Sequence, residues 1–227
     1  MAPDSSEVMD WDSAYRGESP GFEGAPPWNI GEPQPELAAL IDTGGVRGEV
    51  LDAGCGYAEL SLALAAQGFT VVGIELTPTA VAAARRAAEE RGLSTATFVQ
   101  DDITSFTGFD NRFDTIIDST LFHSLPVEAR DAYQQAVFRA AAPGATYYVL
   151  VFAEDAFPAE METKPNGVDE DELRAAVGRY WSIDEIRPAF IHANMPDTPE
   201  FSMPEHGRDD RGRMKMPAFL LTAHKPA

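Results

Sequence analysis

One segment, Val50-Leu51-Asp52-Ala53-Gly54-Cys55-Gly56, constrains this chain more than any other: an apolar run delivers an acid into a glycine turn. Glycines at such a turn let the backbone approach a ligand that a Cβ would hold off. Apolar residues then recur at helical spacing from Glu59 to Ala66, and Gly68 is a stop signal. The unit reads as strand, turn, helix.

The same alternation continues down the chain. Strands are expected at Glu49–Asp52, Thr70–Ile74, Thr97–Val99, Phe113–Ile117, Thr146–Phe152, Ser182–Ile191 and Ala218–His224. Helices are expected at Glu36–Asp42, from Thr77-Pro78 to Gly92 with Thr77 as N-cap, and from Glu128 to Ala142. Another follows the capping-box pair Asp169 and Glu172. This order predicts an α/β fold with a mainly parallel sheet and helices on both faces. With 227 residues, one domain is expected. Residues 1–36 would form an N-terminal lid segment, 37–152 the ligand-binding core, and 153–227 the last strands with a substrate-side loop. The first stretch holds Trp11, Tyr15, Phe22 and Trp28 among its prolines and acids, too many aromatics for a disordered tail.

Composition narrows the partners. Lys and Arg number 17 against 37 Asp and Glu, a net charge of −20, which repels phosphate backbones and anionic membranes. Neither nucleic acid nor a membrane is an expected partner; a small molecule is. A lone cysteine, Cys55, cannot form an internal disulfide, and with no signal-like start the expected compartment is the cytoplasm. No cysteine or histidine spacing suggests a metal site.

In an open parallel sheet, ligands bind beyond the carboxyl ends of the strands. There the chain places Asp52 and the Gly54–Gly56 turn, then Glu75 about 20 residues on, where this architecture carries a ribose-binding acid. Asp101-Asp102-Ile103 lies where an adenine would sit, and Asp118-Ser119-Thr120-Leu121-Phe122-His123 ends the fourth strand. A dinucleotide turn would have a third glycine where this chain has Glu59 or Leu60. An acid in that first helical turn disfavours a pyrophosphate. A nicotinamide dehydrogenase is thereby a minor alternative.

Four segments in order, Val50–Gly56, Val72-Gly73-Ile74-Glu75, Asp101-Asp102-Ile103 and Phe113–Asp118, resemble the successive motifs of class I S-adenosylmethionine-dependent methyltransferases. The resemblance spans roughly Gly48 to Phe152. It implies a Rossmann-like, doubly wound, seven-stranded sheet with an antiparallel last strand, and S-adenosyl-L-methionine as cofactor. By that resemblance Asp52, Gly54, Cys55 and Gly56 face the methionine part and Glu75 with Leu76 the ribose. Asp102 and Ile103 take the adenine, although a shift of one residue exchanges Asp101 for Asp102, and Asp118 with Ser119 lies near the sulfonium. Cys55 is a small filler in the turn. Tyr57-Ala58 departs from the family, where many relatives have another glycine.

Upstream, Pro26-Pro27-Trp28-Asn29-Ile30-Gly31-Glu32-Pro33-Gln34-Pro35 is similar to the segment before the core in thiopurine methyltransferase-like enzymes, a group that includes bacterial heterocyclic toxin methyltransferases. That likeness implies a cover folding over the cofactor, with Trp28 and Gln34 near the sulfonium or substrate. Trp11, Tyr15, Trp28, Phe122 and His123 are then the expected acceptor-side residues. His123 is the candidate catalytic group. It either removes a proton from the acceptor or only shapes the pocket, and the residues leave both readings open. His192, His206 and His224 read as surface or loop positions. Met195, Met203, Met214 and Met216 with Phe201 form either an adaptable pocket wall or loose packing under a long loop. The expected reaction is methyl transfer to oxygen or nitrogen of a small phenol or hydroxyquinoline-like heterocycle, in secondary metabolism or detoxification. A thiol or halide methyltransferase and a non-catalytic cofactor-binding module are the alternatives, and the chain is expected as a monomer or homodimer.

Overall fold

The computed structural model describes residues 10–18, 25–158, 161, 164–195 and 207–226. Phe22, Phe201, Met203 and His206 lie outside them. A seven-stranded sheet has the order β3-β2-β1-β4-β5-β7-β6. Its strands are β1 (Glu49–Ala53), β2 (Thr70–Glu75), β3 (Ala96–Gln100), β4 (Phe113–Ser119), β5 (Ala141–Phe152), β6 (Ser182–Ala193) and β7 (Met214–His224). The central pairs are parallel, and β7 runs antiparallel between β5 and β6. The expected Rossmann-like sheet with an antiparallel last strand is the observed one. The strand order reverses at β1 and β4, which puts the end of β1 at the switch point.

The helices are α1 (Trp11–Arg16), α2 (Pro35–Asp42), α3 (Glu59–Ala66), α4 (Pro78–Glu90), α5 (Arg130–Ala140) and α6 (Glu170–Val177). Successive residues of the central strands go to opposite faces. Leu51, Val72, Ile116, Tyr147 and Val149 pack with α5 and α6 residues such as Val137 and Leu173. Val50, Val71, Ile117, Tyr148 and Leu150 pack with Leu37 of α2 and Leu60 and Leu64 of α3. Burial on both faces is why these strands read as continuous apolar runs. Phe98 of β3 joins Leu62, Val81 and Ala84 in a further cluster under α3 and α4.

Several boundaries and one cap differ from expectation; β5 starts at Ala141 and β7 at Met214, earlier than expected. α5 begins at Arg130 after a 3-10 turn at Val127–Ala129. It ends at Ala140, since Ala141 already pairs with Phe113 and starts β5. Thr77 sits at the N-cap of α4, yet its buried hydroxyl makes no bond to the helix. A distant side chain serves that end instead: Asp12 of α1 accepts from the Thr79 N–H at 3.2 Å. Asp169 does cap α6, accepting from the Glu172 N–H at 2.7 Å. Among the described residues no helix is long and apolar enough to cross a membrane.

Gly73 of β2 makes room for the turn after β1. A Cβ there would lie 2.7 Å from Cys55 Sγ and 2.8 Å from the Phe98 ring, so overpacking is unavoidable. Gly73→Ala is expected to cost about 1–3 kcal/mol, read as a lower midpoint in thermal or denaturant unfolding. A midpoint equal to that of the parent chain would show that the turn has slack.

Candidate functional site

The turn that leaves β1 is left-handed at three of its five residues: Gly54 (φ 66°), Gly56 (φ 52°) and Ala58 (φ 66°). Ala58 takes the conformation despite its Cβ, which costs roughly 1–2 kcal/mol. The glycines are required by what approaches them. A Cβ on Gly54 would meet the Leu121 side chain at 2.8 Å, and one on Gly56 would meet the Tyr15 hydroxyl at 2.5 Å. Glu75, at the end of β2, accepts from the Gly56 N–H at 3.0 Å and from the Thr77 N–H at 2.9 Å. One carboxylate thus ties the turn to the start of α4.

A cavity opens at this carboxyl edge of the sheet. Asp52, Gly54, Cys55, Gly56, Glu75 and Leu76 border it from the β1 and β2 ends, and Asp102, Ile103 and Ser119 border it from β3 and β4. Asp102 lines the cavity and Asp101 does not. The Asp102 carboxylate also accepts from the N–H and hydroxyl of Thr104. Leu76, 57% exposed, borders the cavity beside the buried Glu75. Burial raises Asp52 to about 6, against the 2.6 Å bond that Ser61 donates. Burial also pushes the Cys55 thiol well above its ordinary range, so it is no nucleophile. Glu59 borders the cavity at the first turn of α3, unfavourable for a pyrophosphate. A glycine cradle, two acids and an exposed leucine fit an adenosyl group without phosphates.

Trp11, Tyr15, Trp28 and His123 border the other half. The Trp11 and Trp28 rings meet edge to face at 5.9 Å, the Trp28 side chain hydrogen-bonds Tyr15, and the Tyr57 hydroxyl donates to the Tyr15 carbonyl. Residues 25–34 are fastened to the far end of the sheet. Gln34, 4% exposed, exchanges two bonds with the His192 backbone, Asn194 donates to the carbonyls of Pro27 and Asn29, and Glu32 pairs with Arg211 and Arg213. The amide of Gln34 is thereby spent on β6, although the residue borders the cavity. His192 is a buried β6 residue bonded to Asp209 at 2.8 Å, not a surface or loop position. His224 is exposed at the end of β7 beside Asp184.

Two expected site residues do not reach the cavity. Phe122 is fully buried on the core side, beneath the Arg130 guanidinium and beside Tyr133. Asp118 is fully buried too, its carboxylate turned back into the fold. Among the described residues Met195, Met214 and Met216 form no wall of the cavity: Met214 and Met216 are core residues of β7, and Met195 packs against that core. Ile30, Leu121, Leu125, Phe152 and Pro165 also line the cavity. Sequence reading had no signal for Pro165, which comes from a loop remote in the chain. Phe152, at the predicted end of a strand, was within reach.

His123 lies on a 3-10 turn, Phe122–Ser124. Its Nδ1 accepts from the Phe152 N–H at 3.2 Å and its ring stacks on Phe152 with centroids 4.3 Å apart. Burial pulls its pKa down to about 3, with the Arg130 charge adding to the effect. The neutral ring therefore carries its proton on Nε2. Among the described residues no three His, Cys, Asp or Glu are grouped to hold a metal.

Relatives agree with this geometry. The family described as methyltransferase domain matches residues 50–144. A 2-heptyl-1-hydroxyquinolin-4(1H)-one methyltransferase of Mycobacteroides abscessus is 50% identical, the alignment covering 95% of this chain and 96% of that protein. A structure solved for the conversion of a disulfide bond into a thioacetal group during echinomycin biosynthesis is 35% identical. Its TM-score is 0.80, over 95% of this chain and 91% of the other. The 1,6-didemethyltoxoflavin-N1-methyltransferase of Burkholderia thailandensis, solved with its substrate and S-adenosylhomocysteine, shares the fold. It has a TM-score of 0.61 and 20% identity, over 85% of this chain and 77% of the other. The chain belongs to the class I S-adenosylmethionine-dependent methyltransferases.

Proposed function

We propose that this methyltransferase methylates an acidic oxygen or nitrogen of a small aromatic heterocycle of the hydroxyquinoline type. The observation that carries the reading is the acceptor half of the cavity: apolar walls of Trp28, Leu121, Leu125 and Phe152 around one neutral His123. Such a pocket suits a flat, largely apolar ring that presents one polar atom. The substrate named for the 50% identical relative supports the same class.

S-adenosylmethionine, when bound, supplies a methyl group on a sulfonium. In this reading Asp52 and the Gly54–Gly56 turn hold its methionine part, Glu75 with Leu76 its ribose, Asp102 and Ile103 its adenine, and Ser119 the region near sulfur. Trp11, Tyr15 and Trp28 cover the site and keep water out, which favours a step that disperses charge. The chain's own work is to set the acceptor atom about 3 Å from the methyl carbon. His123 contributes by donating from Nε2 to the acceptor, not by taking its proton: Nδ1 is engaged by Phe152. The other bordering acids are also engaged: Asp52 by Ser61, Glu75 by two backbone N–H groups, Asp102 by Thr104, Glu32 by two arginines and Glu59 by Arg91 at 3.8 Å. The acceptor's own acidity then supplies the ionised atom. A sulfur acceptor, a thiol included, fits this chemistry as a second reading, favoured by the 35% identical relative solved for the conversion of a disulfide bond into a thioacetal group.

Secondary metabolism or detoxification is the role this substrate class suggests, with all 227 residues acting as one domain. Cytoplasmic location is supported by the lone cysteine, and exclusion of nucleic acid and anionic membranes by the net charge of −20.

An acceptor screen with labelled methyl donor over hydroxyquinolines, phenols, thiols and halides is the direct test. Turnover is expected with the acidic hydroxy-heterocycles, and turnover with halide alone would overturn the reading. Glu75→Ala is expected to weaken S-adenosylhomocysteine binding more than tenfold in calorimetry, over about 1.4 kcal/mol. His123→Gln, which keeps an N–H donor, should hold kcat/KM within about fivefold; His123→Phe should lose at least about tenfold, the scale of a hydrogen bond to a charged group. Since burial holds His123 neutral down to about pH 3, activity between pH 5 and 9 should follow the acceptor's ionisation. A pH inflection abolished by His123→Gln would assign the base role instead.

A further inference from the structure

The mechanism leaves one buried acid without a part. Asp118 ends β4 with no exposed surface, and its side chain borders neither half of the cavity. Both of its oxygens are nevertheless taken. Oδ1 accepts from the Leu121 N–H at 2.8 Å and the Phe122 N–H at 3.3 Å, the first donors of the 3-10 turn that carries His123. Oδ2 accepts from the Tyr133 hydroxyl of α5 at 2.8 Å. Behind it the chain of bonds continues: the Tyr147 hydroxyl of β5 donates to Tyr133 at 3.2 Å, and Gln134 donates to Tyr147 at 3.0 Å. Each of these side chains is buried.

A buried carboxylate with several donors costs little only while all of them stay in place. The segment it grips needs holding. Thr120 is left-handed at φ 73°, a strained conformation for a β-branched residue, and is anchored through its N–H to the Leu150 carbonyl. The next residue, Leu121, presses on Gly54 so closely that no Cβ fits there. Two residues later the His123 ring enters the cavity wall. Its own anchors are the Phe152 N–H on Nδ1 and the Asn166 N–H on its carbonyl. Arg130, which bonds Glu172 and the Asn166 carbonyl, closes the far side.

We propose that Asp118 is a positioning residue: its carboxylate, backed by Tyr133 and Tyr147, latches the 120–124 turn so that Leu121 bears on Gly54 and the His123 ring is held in one tautomer facing the acceptor. The proposal rests on the methyltransferase reading for its kinetic consequence, but not for its structural one.

The test compares Asp118→Ala, Asp118→Asn and Tyr133→Phe with the parent chain. The readouts are 15N spectra of labelled histidine, calorimetry with S-adenosylhomocysteine, and kcat and KM on a hydroxyquinoline acceptor. His123→Gln identifies the His123 signal. The parent is expected to show one Nε2–H tautomer for His123. Asp118→Ala should mix the tautomers and raise acceptor KM about tenfold while S-adenosylhomocysteine affinity moves less than threefold. Asp118→Asn keeps an acceptor oxygen for the two N–H groups and should recover most of that loss. Tyr133→Phe should shift KM in the same direction by about threefold. A fixed tautomer with parental kinetics in Asp118→Ala overturns the proposal. So does a tenfold loss of S-adenosylhomocysteine affinity at unchanged acceptor KM, which would make Asp118 a cofactor ligand. If Asp118→Ala does not fold, parental values in both Asp118→Asn and Tyr133→Phe overturn it equally. A parent chain with the fixed tautomer but no turnover on any acceptor would sink the substrate reading and leave the latch to the spectra of the variants.

Discussion

Everything at the carboxyl edge of the sheet is arranged around the left-handed turn that leaves β1. Its backbone groups are caught from β2: Glu75 accepts from the Gly56 N–H, and from the Thr77 N–H at the start of α4, while the Ile74 carbonyl accepts from the Gly54 and Cys55 N–H groups. Because the glycines have no Cβ, side chains from two other elements come down onto the turn, Leu121 onto Gly54 and Tyr15 onto Gly56, and Cys55 of the turn itself fills the gap over Gly73 of β2. Close approach at one point therefore sets the distance between β1, β2, the end of β4 and α1. The cavity is the space that these approaches leave.

The cover over that cavity is held by polar bonds made elsewhere. Residues 25–34 would carry unpaired backbone and charged groups if they lay loose across the opening. Gln34 with the His192 backbone, and Glu32 with Arg211 and Arg213, consume those groups at the β6 and β7 end. Gln34 and Glu32 both border the cavity with their polar groups already bonded, beside the apolar side chains of Trp28, Leu121, Leu125 and Phe152.

Much of this was legible in the residues. Alternating apolar runs and helical spacing predicted all seven strands, and the Gly54–Gly56 turn, Glu75 and Asp102 were expected at the cavity they border. The misjudged positions share a cause. Thr77 was the natural cap for α4, but Asp12, 67 residues upstream, reached the Thr79 N–H. The α5 helix looked continuous to Ala142 until pairing of Ala141 with Phe113 claimed the chain for β5. His192 and the methionines of β7 looked like loop chemistry, yet edge-strand pairing put them inside.

By itself, then, the sequence determined what depends on neighbours a few residues apart: periodicity, the turn that only glycine adopts easily, the order of strands and helices, and the acid near the end of each of the first four strands. Only the tertiary structure decided which way those acids point. Asp52, Glu75 and Asp102 face the cavity while Asp118, placed by the same pattern at the same edge, turns inward because Tyr133 and the Leu121 and Phe122 N–H groups outbid the opening. It also decided where the His123 ring is anchored, since the Phe152 N–H that bonds its Nδ1 comes from another strand. A side chain's partners are set by distances across the fold, and no local spacing records them.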